Sequence, residues 1–67
     1  MALTIRQWRK VREISQQHMA RFLGVHINTY ISWEKDPGKI SIDNSKKIAD
    51  ALNVPIDEII FSSQGGI

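Results

Sequence analysis

The stretch His26 to Lys35, HINTYISWEK, holds most of the side chains of this chain that are equipped to bind something. At ~100° per residue along a helix, Tyr30 and Trp33 fall together, while Ile27, Asn28, Ile31, Ser32 and Lys35 gather on the opposite side. Asn28 offers a donor and an acceptor on one planar amide, Ser32 a hydroxyl and Lys35 a cation. Two isoleucines among them are out of place on a solvated face. Such a surface makes contacts by hydrogen bonds and apolar fit. The isoleucines leave two ends open, an interface with another protein or cover for the methyl groups of thymine.

Catalysis finds no comparable constellation. His18 and His26 are the only histidines, there is no cysteine, and Asp43, Asp50, Asp57 and Glu58 fall where helix caps and solvated faces account for them. A nucleophile with its base and orienter does not assemble, nor does a metal-ligand cluster. The expectation is a protein that is not an enzyme and carries no cofactor or metal.

The surface needs a scaffold, and the flanking sequence supplies one built of helices. Thr4-Ile5-Arg6-Gln7 matches a capping box, opening a helix to about Arg12 that buries Ile5 and Trp8. Ser15 is a second N-cap, with Met19, Ala20, Phe22 and Leu23 as the inward side of a helix stopped by Gly24. The third helix runs from about Ile27 to Lys35. Asp36-Pro37-Gly38-Lys39 is a turn by composition, Ser41 caps a fourth helix facing inward through Ile42, Ile48, Ala49 and Leu52, and Asn53 to Phe61, with Pro55 at the start and Asp57 and Glu58 in the first turn, suggests a fifth. No segment alternates like a strand. The expectation is an all-α, compact five-helix bundle in one domain spanning 1–67, with its core at about 4–61 and a frayed tail at 62–67. Only about three residues separate Leu23 from Ile27, so the second and third helices form a helix-turn-helix, with Ala20 small enough for close approach.

At these residues the chain resembles the Cro and lambda-repressor-like, or XRE, family of helix-turn-helix domains. The resemblance is carried by SQQHMARFLGVHINTYISWEK, in which Ser15-Gln16 opens the second helix, Ala20 and Gly24 hold the packing and turn positions, and Thr29 to Glu34 match the family's third-helix ending. Leu52-Asn53-Val54-Pro55-Ile56-Asp57-Glu58-Ile59-Ile60 is similar to its last-helix opening, so the likeness covers about residues 4–61.

That resemblance implies roles. His26, Ile27, Asn28, Ile31 and Ser32 would read DNA bases; Gln16, Gln17, Thr29, Lys35 and Lys39 would hold the DNA backbone; Arg9 and Glu34 would form a structural salt bridge between first and third helices. Arg6, Lys10 and Arg12 are read as solvated, and Trp8 and Trp33 as core. The sequence also departs from the family. Lys39 is the only basic residue after Lys35 in the loop, Asp36 stands among its residues, and His26 takes a place more often held by Ser or Thr.

Charge agrees with a polyanionic partner. The net charge is +2, but residues 1–35 hold six Lys and Arg against two acids, whereas 36–67 hold three against five. The function expected is a sequence-specific, double-stranded DNA-binding transcriptional regulator, a Cro-like or phage-type repressor placing its third helix in the major groove, with an antitoxin or a helical protein-interaction module as the alternative. The partners expected are a DNA operator and a second copy of the chain, meeting through Ile56, Ile59, Ile60 and Phe61 unless those residues close the monomer core instead, with a further protein partner open. With no signal segment or membrane span in these 67 residues, the expected location is the cytoplasm, and control would lie in concentration, DNA and partners rather than in an effector domain.

Overall fold

The computed structural model describes residues 1–61; the tail expected at 62–67 lies outside them. A short strand β1 (Leu3–Thr4) leads into α1 (Ile5–Val11), followed by α2 (Gln16–Leu23) and α3 (Ile27–Lys35). A 3-10 turn at Pro37–Lys39 joins α3 to α4 (Ile42–Leu52), and a second at Ile56–Glu58 leads to β2 (Ile59–Ile60).

Each helix begins where a side chain caps its orphan amides. Thr4 Oγ1 accepts from Gln7 N at 3.2 Å while Gln7 Oε1 accepts from Thr4 N at 2.9 Å, a complete capping box. Ser15 Oγ accepts from His18 N and Ser41 Oγ from Asn44 N. The stops are equally local. Gly24 ends α2 at φ 72°, a conformation that any Cβ disfavours, and Asn53 ends α4 at φ 59°, where its side chain is better tolerated than most. Val25 N then donates to Ala20 O at 3.0 Å, closing the turn between α2 and α3.

The core is drawn from all these helices and from β2: Ile5, Met19, Ala20, Leu23, Tyr30, Ile48, Ala49, Leu52 and Ile59 are buried. Trp8 and Trp33 are half-buried and pack against it, as does Phe61. Two residues expected inside are not. Phe22 is 59% exposed and Ile42 73% exposed. The buried residues of α2 are Met19, Ala20 and Leu23, and Ile42 is the first residue of α4, three positions before the first buried one, Ser45.

The described chain has four α-helices, not five. Pro55 sits in extended conformation at φ −64° and ψ 145°, one 3-10 turn follows, and by Ile59 the backbone is again extended. Ile59 and Ile60 pair in parallel with Leu3 and Thr4. β-Branched residues lose side-chain freedom in a helix and pack well on a pleated surface, and here β1 offers a backbone edge beside them. Of the four apolar residues assigned to a dimer surface, Ile59 closes the monomer core, Ile60 and Phe61 are half-buried, and Ile56 stays exposed.

Candidate nucleic-acid interface

α3 is held from beneath by one carboxylate. Glu34 Oε2 accepts from Arg9 Nε at 2.6 Å and from Tyr30 OH at 2.5 Å. Its Oε1 accepts from Gln16 Nε2 at 3.0 Å and, more weakly, from Arg9 Nη2 at 3.4 Å. The Arg9 side chain is 11% exposed and that of Glu34 4%, and Arg9 Nη1 also donates to Ile14 O at 2.8 Å. α1, the α1–α2 turn, α2 and α3 therefore meet at one buried ion pair, Arg9 with Glu34, whose carboxylate has its lone pairs occupied.

The protonation equilibria follow from that geometry. Burial alone would raise the Glu34 carboxyl, but the hydrogen bonds from Arg9, Tyr30 and Gln16 outweigh it and hold the group below its ordinary range. The bond to Glu34 raises Arg9 further above neutrality, against the pull of burial. Burial, and then donation to a carboxylate, push the Tyr30 phenol far up. All three groups keep their charge states at neutral pH, so the clamp is permanent there.

The residues read from the family resemblance fall in four settings. His26, Asn28, Thr29, Ser32 and Lys35 are exposed on α3 and its start. Ile27 is half-buried and packs against the core, which leaves only part of it outward. Ile31 is half-buried and lines a cleft of about 350 Å³ together with Arg6, Gln16, Glu34 and Lys35. Gln17 is exposed in the first turn of α2, and Lys39 is exposed in the 3-10 turn beyond α3.

Two polar groups are engaged locally. His26 caps α3, its Nδ1 accepting from Asn28 N at 3.0 Å, which leaves the ring proton on Nε2 as a donor directed elsewhere. Ser32 Oγ donates to Thr29 O at 2.6 Å. That hydroxyl proton is committed, so Ser32 offers a partner its oxygen lone pairs.

Three features were not anticipated. The helical wheel places Tyr30 beside Trp33 and says nothing of its hydroxyl, which donates to Glu34; the four-residue helical spacing and the need of a buried phenol for a partner are the available signals. Gln16 was assigned outward, yet its amide nitrogen turns to Glu34. Arg12 was read as solvated, yet its Nε donates to Leu52 O at 2.8 Å and its guanidinium lies 5.3 Å from the centre of the Trp8 ring. Among the described residues no three His, Cys, Asp or Glu gather to hold a metal ion, and no helix is long and apolar enough to cross a membrane.

Comparison with known proteins bears on this geometry. A helix-turn-helix family matches residues 5–59, which takes in all four helices. The cryptic phage CTXphi transcriptional repressor RstR of Vibrio cholerae is 33% identical over 63 residues, covering 94% of this chain and 57% of that protein. Its counterpart in Vibrio cholerae serotype O1 is 37% identical over 51 residues, covering 76% of this chain and 46% of its own length. The chain thus spans about half the length of the curated relatives it matches. No solved structure matches it.

Proposed function

The chain belongs to the helix-turn-helix family, and from that premise we propose that it binds double-stranded DNA in a sequence-specific way and regulates transcription as a repressor of the phage type. The observation that carries this reading is the pairing of α3's two sides. Its inner side is fixed to α1 and α2 through Glu34, and its outer side exposes His26, Asn28, Thr29, Ser32 and Lys35 to a partner. A rigid helix with polar groups facing out suits a major groove about 12 Å wide.

In this reading Asn28 uses its paired donor and acceptor on adenine, and Ile31, with the outer part of Ile27, covers a thymine methyl. His26 and Ser32 flank them at base edges. Gln17, Thr29, Lys35 and Lys39 lie along the phosphates, joined by Gln16 through the part of its amide not bound to Glu34, and set the register without reading sequence. The protein works without catalysis or cofactor, in the cytoplasm, where its DNA is accessible. One such module buries a limited interface, so two copies on half-sites about one helical turn apart reach useful affinity.

The test is selection of bound duplexes from a random pool, followed by affinity for the selected site and an unrelated duplex across a range of salt. The expected result is an enriched, two-fold symmetric site, with affinity that falls steeply as counterions compete. A pool that enriches nothing, or capture of a protein by the same face with little salt dependence, would refute the DNA reading in favour of an interaction module.

A further inference from the structure

The cleft lined by Arg6, Gln16, Ile31, Glu34 and Lys35 is more than a gap between helices. Its rim combines the first residue of α2, the last residue of α3 and a residue from the first turn of α1, and α1 lies outside the helix-turn-helix itself. Arg6 and Lys35 are exposed, and neither has an ion-pair partner among the described residues. The one anion in the cleft, Glu34, is buried and neutralised by Arg9, with Gln16 and Tyr30 occupying the rest of its lone pairs. It cannot serve Arg6 or Lys35 as a counter-ion. The cleft therefore presents two uncompensated cations above a satisfied floor.

We infer that this cleft seats one phosphate of the DNA backbone, with Arg6 and Lys35 as its two cations. This rests on the DNA reading given above and extends it to Arg6, a residue that the helix-turn-helix pattern leaves out. Ile31 and Lys35 belong both to the cleft and to the outward side of α3, so a duplex lying against α3 runs past the cleft mouth. A guanidinium meets phosphate oxygens through a planar fork of donors, whereas Lys35 acts as a point charge, so Arg6 fixes the direction of the backbone as well as its distance. Ile31 walls the seat on its apolar side.

The experiment measures affinity for the selected duplex at several salt concentrations for the wild type, Arg6→Ala, Arg6→Lys and Lys10→Ala, the last removing an exposed α1 cation outside the cleft. Arg6→Ala should weaken binding to specific and unrelated duplexes alike and lower the slope of log affinity against log salt by about one, while Arg6→Lys restores most of the slope. Melting curves verify that the variants stay folded. Single phosphates are then replaced in turn by neutral methylphosphonates. One replacement should weaken the wild type and weaken Arg6→Ala by less, the remainder being the share of Lys35. The inference is overturned if Arg6→Ala changes the slope no more than Lys10→Ala, or if its loss adds to that of every neutralised phosphate. A wild type that binds no duplex at all would fail the DNA reading itself, a different outcome from a wild type that binds but is indifferent to Arg6.

Discussion

Two regions hold this molecule together by opposite means. At the junction of α1, α2 and α3, side chains bind a side chain, with Arg9, Gln16 and Tyr30 converging on Glu34. At the seam between the chain's first turns and its last described residues, side chains bind backbone: Trp8 Nε1 donates to Glu58 O at 2.7 Å, and Arg12 Nε to Leu52 O at 2.8 Å. The first kind of contact depends on residue type at both ends. The second depends on it at one end only, since every residue carries a carbonyl. The junction stakes much on one charge, while the seam spreads modest contacts over several groups.

The largest expected difference between them comes from Glu34→Ala. It strands the Arg9 guanidinium in a desolvated site and removes the partner of Tyr30 and Gln16, and should cost about 3–5 kcal/mol of stability, against ~0–1 for a surface ion pair. Denaturant unfolding beside the exposed control Asp43→Ala measures this. Equal losses would mean that the junction is no stronger than a surface contact.

Acid should reach the junction first. The Glu34 carboxyl is held below its ordinary range in the folded chain, so its contribution to stability is fully present at neutral pH. It drains away as the pH falls from about 4 through the lower folded value, because the unfolded state takes up the proton first. Melting temperature followed against pH should fall in that acid range for the wild type, and Glu34→Gln should start lower and show a shallower acid decline. Parallel curves for the two would place the acid sensitivity elsewhere.

The seam should respond less. Trp8→Phe keeps an aromatic ring against the core but removes the donor to Glu58 O, and is expected to cost about 1–2 kcal/mol. Because β2 is the element held there, loss of amide exchange protection should concentrate at Ile59 and Ile60 and leave α3 unchanged. At the bottom of the range, Ile42→Ser at a 73% exposed position should stay within about 0.5 kcal/mol of the wild type in the same unfolding assay.

The same contrast decides what could be read from the sequence. The junction was legible where it followed from residue pairs: Arg9 and Glu34 from the family resemblance, the Thr4, Ser15 and Ser41 caps from hydroxyls placed before apolar periodicity. The seam was not. Asn53 to Phe61 has the composition of a helix start, with a proline followed by acids, and nothing in it announces that Leu3 and Thr4 lie alongside as a strand partner. Burial at the margins was equally hidden. Phe22 and Ile42 have helical spacing compatible with the core, yet both are exposed while their neighbours Met19, Leu23 and Ile48 are buried. The spacing turns Tyr30 inward but leaves Gln16 to the outside, and the convergence of both on Glu34 is a three-dimensional fact about a side chain with room for several donors.

All of this geometry serves one claim, that α3 is fixed on its inner side so that its outer side can read DNA, and Asn28→Ala tests it most directly. The variant keeps its backbone donor to His26 Nδ1 and removes an exposed amide, so its melting temperature should match that of the wild type. Affinity for the selected duplex and for its full set of single-base substitutions, at one fixed salt concentration, should then show a loss of about 1–3 kcal/mol of discrimination at one base pair in each half-site, with preferences elsewhere intact. Equal weakening on every sequence, or binding and preference identical to the wild type, would contradict the claim that this face reads bases.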